Sequence, residues 1–97
     1  MAVMEIVTFR LSPGADEAGF LAADYRMQTE FVPHRPGFAR RTTARADDGS
    51  WATVVLWSSA ADAESAFADL EGDEVGAAFA VFVDPATLER RLFSLLD

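Results

Sequence analysis

Residues 38–58 read FARRTTARADDGSWATVVLWS, and this stretch decides the fold. Phe38 to Arg45 and Ser50 to Ser58 are rich in β-branched and aromatic residues, as strands are. Between them stands Asp47-Asp48-Gly49, and an Asp-Gly pair between two such runs signals a hairpin. The spacing therefore predicts two adjacent antiparallel strands. Side chains alternate across a strand, so Trp51, Val55 and Trp57 share one face, and Val54 and Leu56 the other. Both faces are apolar.

Upstream, Val3 to Leu11 (VMEIVTFRL) has the same character and ends at Ser12-Pro13-Gly14, a turn signal. Asp16 is placed to cap a helix, with Glu17 in the first turn facing the positive end of the helix dipole. Phe20, Leu21, Tyr25, Gln28, Phe31 and Val32 then recur at helical spacing, until Pro33 and Pro36 stop the run. Downstream, Ser59 opens a second helix, and Asp62 three residues on approximates a capping box. Ala63, Ala66, Phe67 and Leu70 form its stripe, and Gly72 interrupts it. A shorter helical piece carries Val75, Ala78, Phe79 and Phe82, and Asp84-Pro85 ends it. Leu88 to Leu96 (LERRLFSLL) is the last strand. The order β-α-β-β-α-β predicts an α+β, ferredoxin-like domain over residues 1–97, an antiparallel sheet with its helices on one face.

Composition narrows the function classes. The chain has 97 residues, a length that suits one domain. Its net charge is −8, and all eight basic residues are Arg. Four of them cluster at Arg35, Arg40, Arg41 and Arg45, while residues 60–84 carry seven acids and no base. The overall field repels nucleic acid, and the Arg cluster lacks interleaved aromatics, so no nucleic-acid partner is expected. Neutralisation across the fold or a subunit interface accounts for the cluster. The absence of Cys excludes disulfides and thiolate chemistry. No apolar run approaches the ~20 residues of a bilayer span, and Met1 to Leu11 does not read as a signal peptide. The default is a cytoplasmic protein with no membrane partner.

The two-faced strands create a conflict. Helices cover one face of such a sheet, and the other would remain a large exposed apolar patch, which soluble monomers rarely carry. Packing against a second sheet resolves this, and a two-fold homodimer is the commonest way to supply one. A homodimer is therefore the expected assembly.

Ser12-Pro13-Gly14, Pro36-Gly37-Phe38, Asp48-Gly49-Ser50-Trp51 and Val54-Val55-Leu56-Trp57-Ser58-Ser59, running into an Ala-rich helix, resemble the dimeric α/β-barrel proteins of the antibiotic-biosynthesis-monooxygenase type. The resemblance spans nearly the whole chain. It implies a cofactor-independent oxygenase acting on an aromatic or polyketide-like molecule, with no cofactor required. It also places Trp57 at the strand Trp used by both enzyme branches, and Arg90 or Arg91 at a last-strand Arg of the oxygenases. The chain contains no Asn, and its one Tyr, Tyr25, lies in the first helix. The second helix carries no His, so the haem-degrading set is reduced to Trp57 and haem degradation is disfavoured.

The residues themselves leave alternatives open. His34 lies in a Pro-bounded loop and is the one side chain whose ordinary pKa is near neutrality. It is a general base or donor for a phenol or ketone, or an exposed loop His at a helix C-terminus. One His with no adjacent carboxylate pair is a poor metal site. Trp57 is an aromatic wall for a flat ligand or a packing residue. Tyr25, Phe67, Phe79 and Phe82 line an apolar pocket between helices and sheet, or fill the core. Arg40-Arg41 and Arg90-Arg91 are adjacent pairs on strands, so one of each points to either face. The inward one holds an anionic ligand group or an internal ion pair. A non-catalytic ligand-binding dimer and a structural dimer with a closed core are the competing functions.

Overall fold

The computed structural model describes residues 1–97. Its elements run β1 (Val3–Phe9), α1 (Glu17–Arg26), β2 (Phe38–Arg45), β3 (Trp51–Trp57), α2 (Ala60–Leu70), α3 (Glu74–Ala80) and β4 (Glu89–Ser94). The four strands form one antiparallel sheet in the order β2-β3-β1-β4, the ferredoxin-like arrangement. No helix is long and apolar enough to cross a membrane.

The β2–β3 hairpin forms where Asp47-Asp48-Gly49 placed it, with a particular geometry. A two-residue turn of the favoured type needs positive φ at both central positions. Here only Gly49 has it, at +88°, and the loop takes three residues. The Ala46 N–H donates to Ser50 O at 2.8 Å and the Gly49 N–H to Ala46 O at 3.0 Å. Asp48 Oδ1 then accepts from the Ser50 N–H and hydroxyl, which locks the turn.

Register decides the faces. Val3, Glu5, Val7 and Phe9 of β1 lie opposite Trp57, Val55, Thr53 and Trp51 of β3 and point to the helices. Arg41 and Arg90 join that face from the two edge strands. Met4, Ile6, Val54, Leu56 and Phe93 point the other way, where this chain supplies no cover.

Asp16 caps α1, accepting from the Ala18 and Gly19 N–H groups. The buried stripe of this helix differs from the sequence expectation. Phe20, Ala23, Met27, Phe31 and Val32 are buried, whereas Leu21 is 47% and Tyr25 68% exposed. Spacing from Phe20 selects Ala23 and Met27, and the expectation had favoured the larger side chains beside them. After Arg26 the helix widens into a π-helical turn over Met27–Phe31, followed by a 3₁₀ turn over Val32–His34. The wider turn brings both Phe31 and Val32 inward.

Three apolar clusters result. Phe9, Phe20, Trp51 and Val83 pack at one end of the sheet; Val3, Val55, Trp57, Ala63 and Ala66 pack at the other. Met27, Phe31 and Val32 form a roof on the helical side. Each buried large side chain contributes about 1.5–3 kcal/mol.

Candidate functional site

The clusters do not close on one another. Between sheet and helices lies a cavity of about 670 Å³, lined by 22 residues of which 15 are hydrophobic. That size falls in the range of small-molecule sites, and the lining is of the apolar kind they use. Met27, Phe31 and Phe79 form walls on the helical side. Phe67 and Leu88, both substantially exposed, also line it, and they place its mouth beside α2 and the start of β4.

The floor is the sheet, and it is not wholly apolar. Glu5 of β1 is only 6% exposed and lines the cavity. Its Oε1 accepts from Trp57 Nε1–H at 2.9 Å, and its Oε2 from Arg90 Nε. Arg90 Nη1 also donates to Glu64 Oε1 of α2 at 2.9 Å, and the guanidinium lies 4.2 Å from the centroid of the Phe67 ring. Burial alone pulls the Arg90 pKa down; the hydrogen bonds and charges of Glu5 and Glu64 outweigh it, and the net direction is upward. Arg90 therefore stays cationic between two carboxylates. A charge-assisted bond is roughly twice as strong as a neutral one, so Trp57 and Arg90 hold the Glu5 carboxylate in one orientation.

Across the floor is a second polar group. Arg41 of β2 is 6% exposed and also lines the cavity. Its Nη2 donates to Asp24 Oδ1 at 2.8 Å, and its Nη1 to Gln28 Oε1 and Thr43 Oγ1, each at 3.3 Å. The Thr43 hydroxyl donates to the same Asp24 oxygen at 2.9 Å. Asp24 and Gln28 sit one turn apart on the helical side, the spacing at which two side chains reach one partner.

The structure separates the residues singled out from sequence. Trp57, Phe67 and Phe79 line the cavity. Arg90 reaches it through Glu5 and closes its flank beside Phe67. Arg91 points to the opposite face, because β4 alternates and Arg90 takes the inward place, opposite Val7. His34 is exposed on the 3₁₀ turn and Tyr25 is exposed on α1; neither lines the cavity. Phe82 packs against Phe20, with centroids 6.4 Å apart, and lies outside the lining. The inward Arg of each pair is engaged in internal ion pairs: Arg90 with Glu5 and Glu64, Arg41 with Asp24. The Arg cluster is neutralised partly by the acidic second half, through Arg35 and Asp69, and partly by α1, through Arg45 and Glu17.

Glu5, Thr53 and Glu71 are polar cavity residues that sequence reasoning did not single out, and Arg41 was weighed only as one of an adjacent pair. The signal for Glu5 was present: it is the one acid on a strand face otherwise made of Val3, Val7 and Phe9.

No family model matches the chain, and no curated protein matches it in sequence. Solved structures do match its fold. SnoaB, a cofactor-independent oxygenase from Streptomyces nogalater, superposes with a TM-score of 0.79 at 22% identity, covering 99% of this chain and 94% of SnoaB. A candidate antibiotic biosynthesis monooxygenase from Bordetella bronchiseptica gives 0.80 at 17% identity, over 98% of this chain and 97% of that one. Rv0793 from Mycobacterium tuberculosis gives 0.74 at 15% identity, over 100% and 95%. The chain has the ferredoxin-like α+β fold of the antibiotic-biosynthesis-monooxygenase-like proteins over its whole length.

Proposed function

We propose that this chain, on the fold it shares with those proteins, is a cofactor-independent monooxygenase whose cavity takes a small aromatic or polyketide-like molecule. The observation that carries the proposal is the cavity itself: an apolar chamber with one oriented carboxylate, Glu5, backed by Trp57 and Arg90. A flat ring system fits walls of Phe and Met, and a ring hydroxyl or enol finds its acceptor in Glu5. The carboxylate has about four lone-pair sites, of which the protein uses two.

The reaction class follows from these parts. A fused-ring ketone with a CH₂ group opposite its carbonyl gives up a proton to form an enolate, and Glu5 is the base that the cavity offers. The enolate passes one electron to O₂, the two radicals combine to a peroxide anion, and the proton held by Glu5 returns to it to give a hydroperoxide. Loss of water leaves a second carbonyl. One oxygen atom enters the product, the other leaves as water, and O₂ is the oxidant. Arg90 keeps Glu5 in place, and the apolar walls keep water from the enolate.

Oxygen consumption by the purified protein with an anthrone tests this. Turnover that falls at least tenfold in Trp57→Phe supports the assignment, because the change removes the N–H that orients Glu5. Turnover unchanged in Trp57→Phe and in Glu5→Gln counts decisively against it.

One observation favours a second reading, a ligand-binding protein without turnover. Arg90 is already shared by Glu5 and Glu64, and Arg41 is paired with Asp24, so neither inward cation is left without a counter-charge to stabilise an enolate oxygen. Saturable binding of the anthrone without oxygen uptake is the result that this reading expects. On either reading we propose a homodimer, with a second copy covering Met4, Ile6, Val54, Leu56 and Phe93.

A further inference from the structure

Two polar groups on the cavity floor have hydrogen-bonding capacity that the protein does not use. Arg41 has five N–H donors, and three acceptors within the chain engage it: Asp24, Gln28 and Thr43. Its Nε–H has no partner among them. Nor is that nitrogen sealed in the core, since the enclosed, partnerless side-chain nitrogens of the molecule are Arg35 Nε and Arg90 Nη2. The residue is nine-tenths buried and lines the cavity, so the cavity is where this donor has room to find an acceptor. Thr53 repeats the pattern. It is 6% exposed, it lines the cavity, and its hydroxyl is neither bonded within the chain nor enclosed. Thr53 lies two residues from Val55 on the same face of β3, and Val55 is the register partner of Arg41. The two side chains are thus diagonal neighbours on one face of the sheet, about 7–8 Å apart and somewhat closer between their Cβ atoms.

We propose that Arg41 and Thr53 form a second polar subsite, one that receives a neutral carbonyl oxygen of the ligand across the cavity from Glu5. The proposal rests on the reading of the cavity as a site for a flat aromatic molecule. Glu5 and Arg41 both pair in register with Val55, from opposite sides of β3. Two inter-strand steps put their backbones about 10 Å apart. The floor therefore offers an acceptor at one end and donors at the other, spaced for a fused-ring molecule that carries a hydroxyl and a carbonyl.

Charge selects the carbonyl over a carboxylate. Arg41 and Asp24 sum to zero, and Glu5, Arg90 and Glu64 sum to −1. A ligand carboxylate at Arg41 would add negative charge to a cavity that is already net negative and that Glu71 also lines. A carbonyl accepts the same N–H and O–H donors without that repulsion.

The test compares three fused-ring probes by quenching of tryptophan fluorescence in the intact protein. They are a monohydroxyanthraquinone, a monohydroxyanthracene that lacks the carbonyls, and an anthraquinone carboxylate. Removing Arg41 strands Asp24 in the interior and endangers folding, so the diagnostic variants are Thr53→Val, which is nearly isosteric, and Thr53→Ser, which keeps the hydroxyl. The expected result is that the hydroxyanthraquinone binds wild type about tenfold more tightly than the hydroxyanthracene. Thr53→Val reduces that ratio by about three- to tenfold, the worth of one hydrogen bond, and Thr53→Ser restores it. Equal binding of the two probes to wild type, or a ratio that survives Thr53→Val, overturns the subsite while leaving the cavity as an aromatic site. Tightest binding of the carboxylate overturns the neutral-carbonyl assignment. Binding of none of the three overturns the reading of the cavity, and the subsite falls with it.

Discussion

At the scale of single residues, Glu5 does the most to shape the site. A carboxylate on the inner face of a central strand is costly unless paired and hydrogen-bonded, and Glu5 is both. Glu5→Gln tests how much the arrangement contributes. The amide oxygen still accepts from Trp57, and Arg90 keeps Glu64, so the loss is that of one charge-assisted bond. We expect a destabilisation of about 1–3 kcal/mol, read as a lower urea midpoint with an unchanged denaturant slope. Glu5→Leu leaves both Trp57 Nε1 and Arg90 Nε without an acceptor and should cost more. Equal midpoints for wild type and both variants would mean that the three side chains are not coupled. His34 marks the limit of reasoning by residue type. Its chemistry suited catalysis, but its place on an exposed turn keeps it off the cavity wall.

At the scale of elements, the start of α2 shows how a strand and a helix are fastened together. The Ser59 hydroxyl accepts from the Asp62 N–H at 3.1 Å, as an N-cap should. The Ser58 and Ser59 hydroxyls both donate to Asp62 Oδ2. Gly37 packs against the same carboxylate with φ +80°, in space that a Cβ would have to share with Asp62, and its carbonyl accepts from the Ser58 N–H at 2.8 Å. These hydroxyl bonds lower the Asp62 pKa below the ordinary carboxylate value, that of Ser58 foremost. The sign follows. A carboxyl with a depressed folded-state pKa stabilises the fold above its unfolded pKa, and the contribution disappears as pH falls through the folded one. The melting temperature should therefore fall on acidification from the ordinary carboxylate range downward. Asp62→Asn should lower it at neutral pH and shallow that acid limb, as a thermal melt series against pH would report. An acid limb identical in the variant would remove Asp62 from the account. The Ser59–Asp62 pairing was legible in sequence, since its spacing is local. Gly37 and Ser58 were not, because their meeting requires the strand ends to come together first.

At the scale of the whole molecule, the sheet face that this chain leaves uncovered is where we propose that a second copy packs. Ile6 and Val54 are register partners at its centre, with Met4, Leu56 and Phe93 around them. A proposed second copy laid on this face leaves the cavity intact, because the cavity lies on the helical side of the sheet. Sedimentation should give twice the chain mass of 10.5 kDa for wild type and the single-chain mass for Val54→Lys. Binding of the hydroxyanthraquinone should persist in the variant. A wild-type monomer would refute the dimer, and loss of probe binding together with dimerisation would show that the cavity depends on the partner.

The sequence by itself determined the element order, the hairpin, the caps of the first two helices and the two-faced character of the sheet. All of these arise from local spacing and from the alternation of side chains along a strand. It also narrowed each Arg pair to one inward and one outward member. Only the tertiary structure decided which member that was, because the register of β4 on β1 and of β2 on β3 fixes it. The cavity was likewise beyond the sequence. Its floor draws Glu5, Thr53 and Arg41 from three strands, and its roof comes from a π-helical turn whose extra width no periodicity announced. A chamber is the space that packed elements leave between them, and it exists only once they are packed.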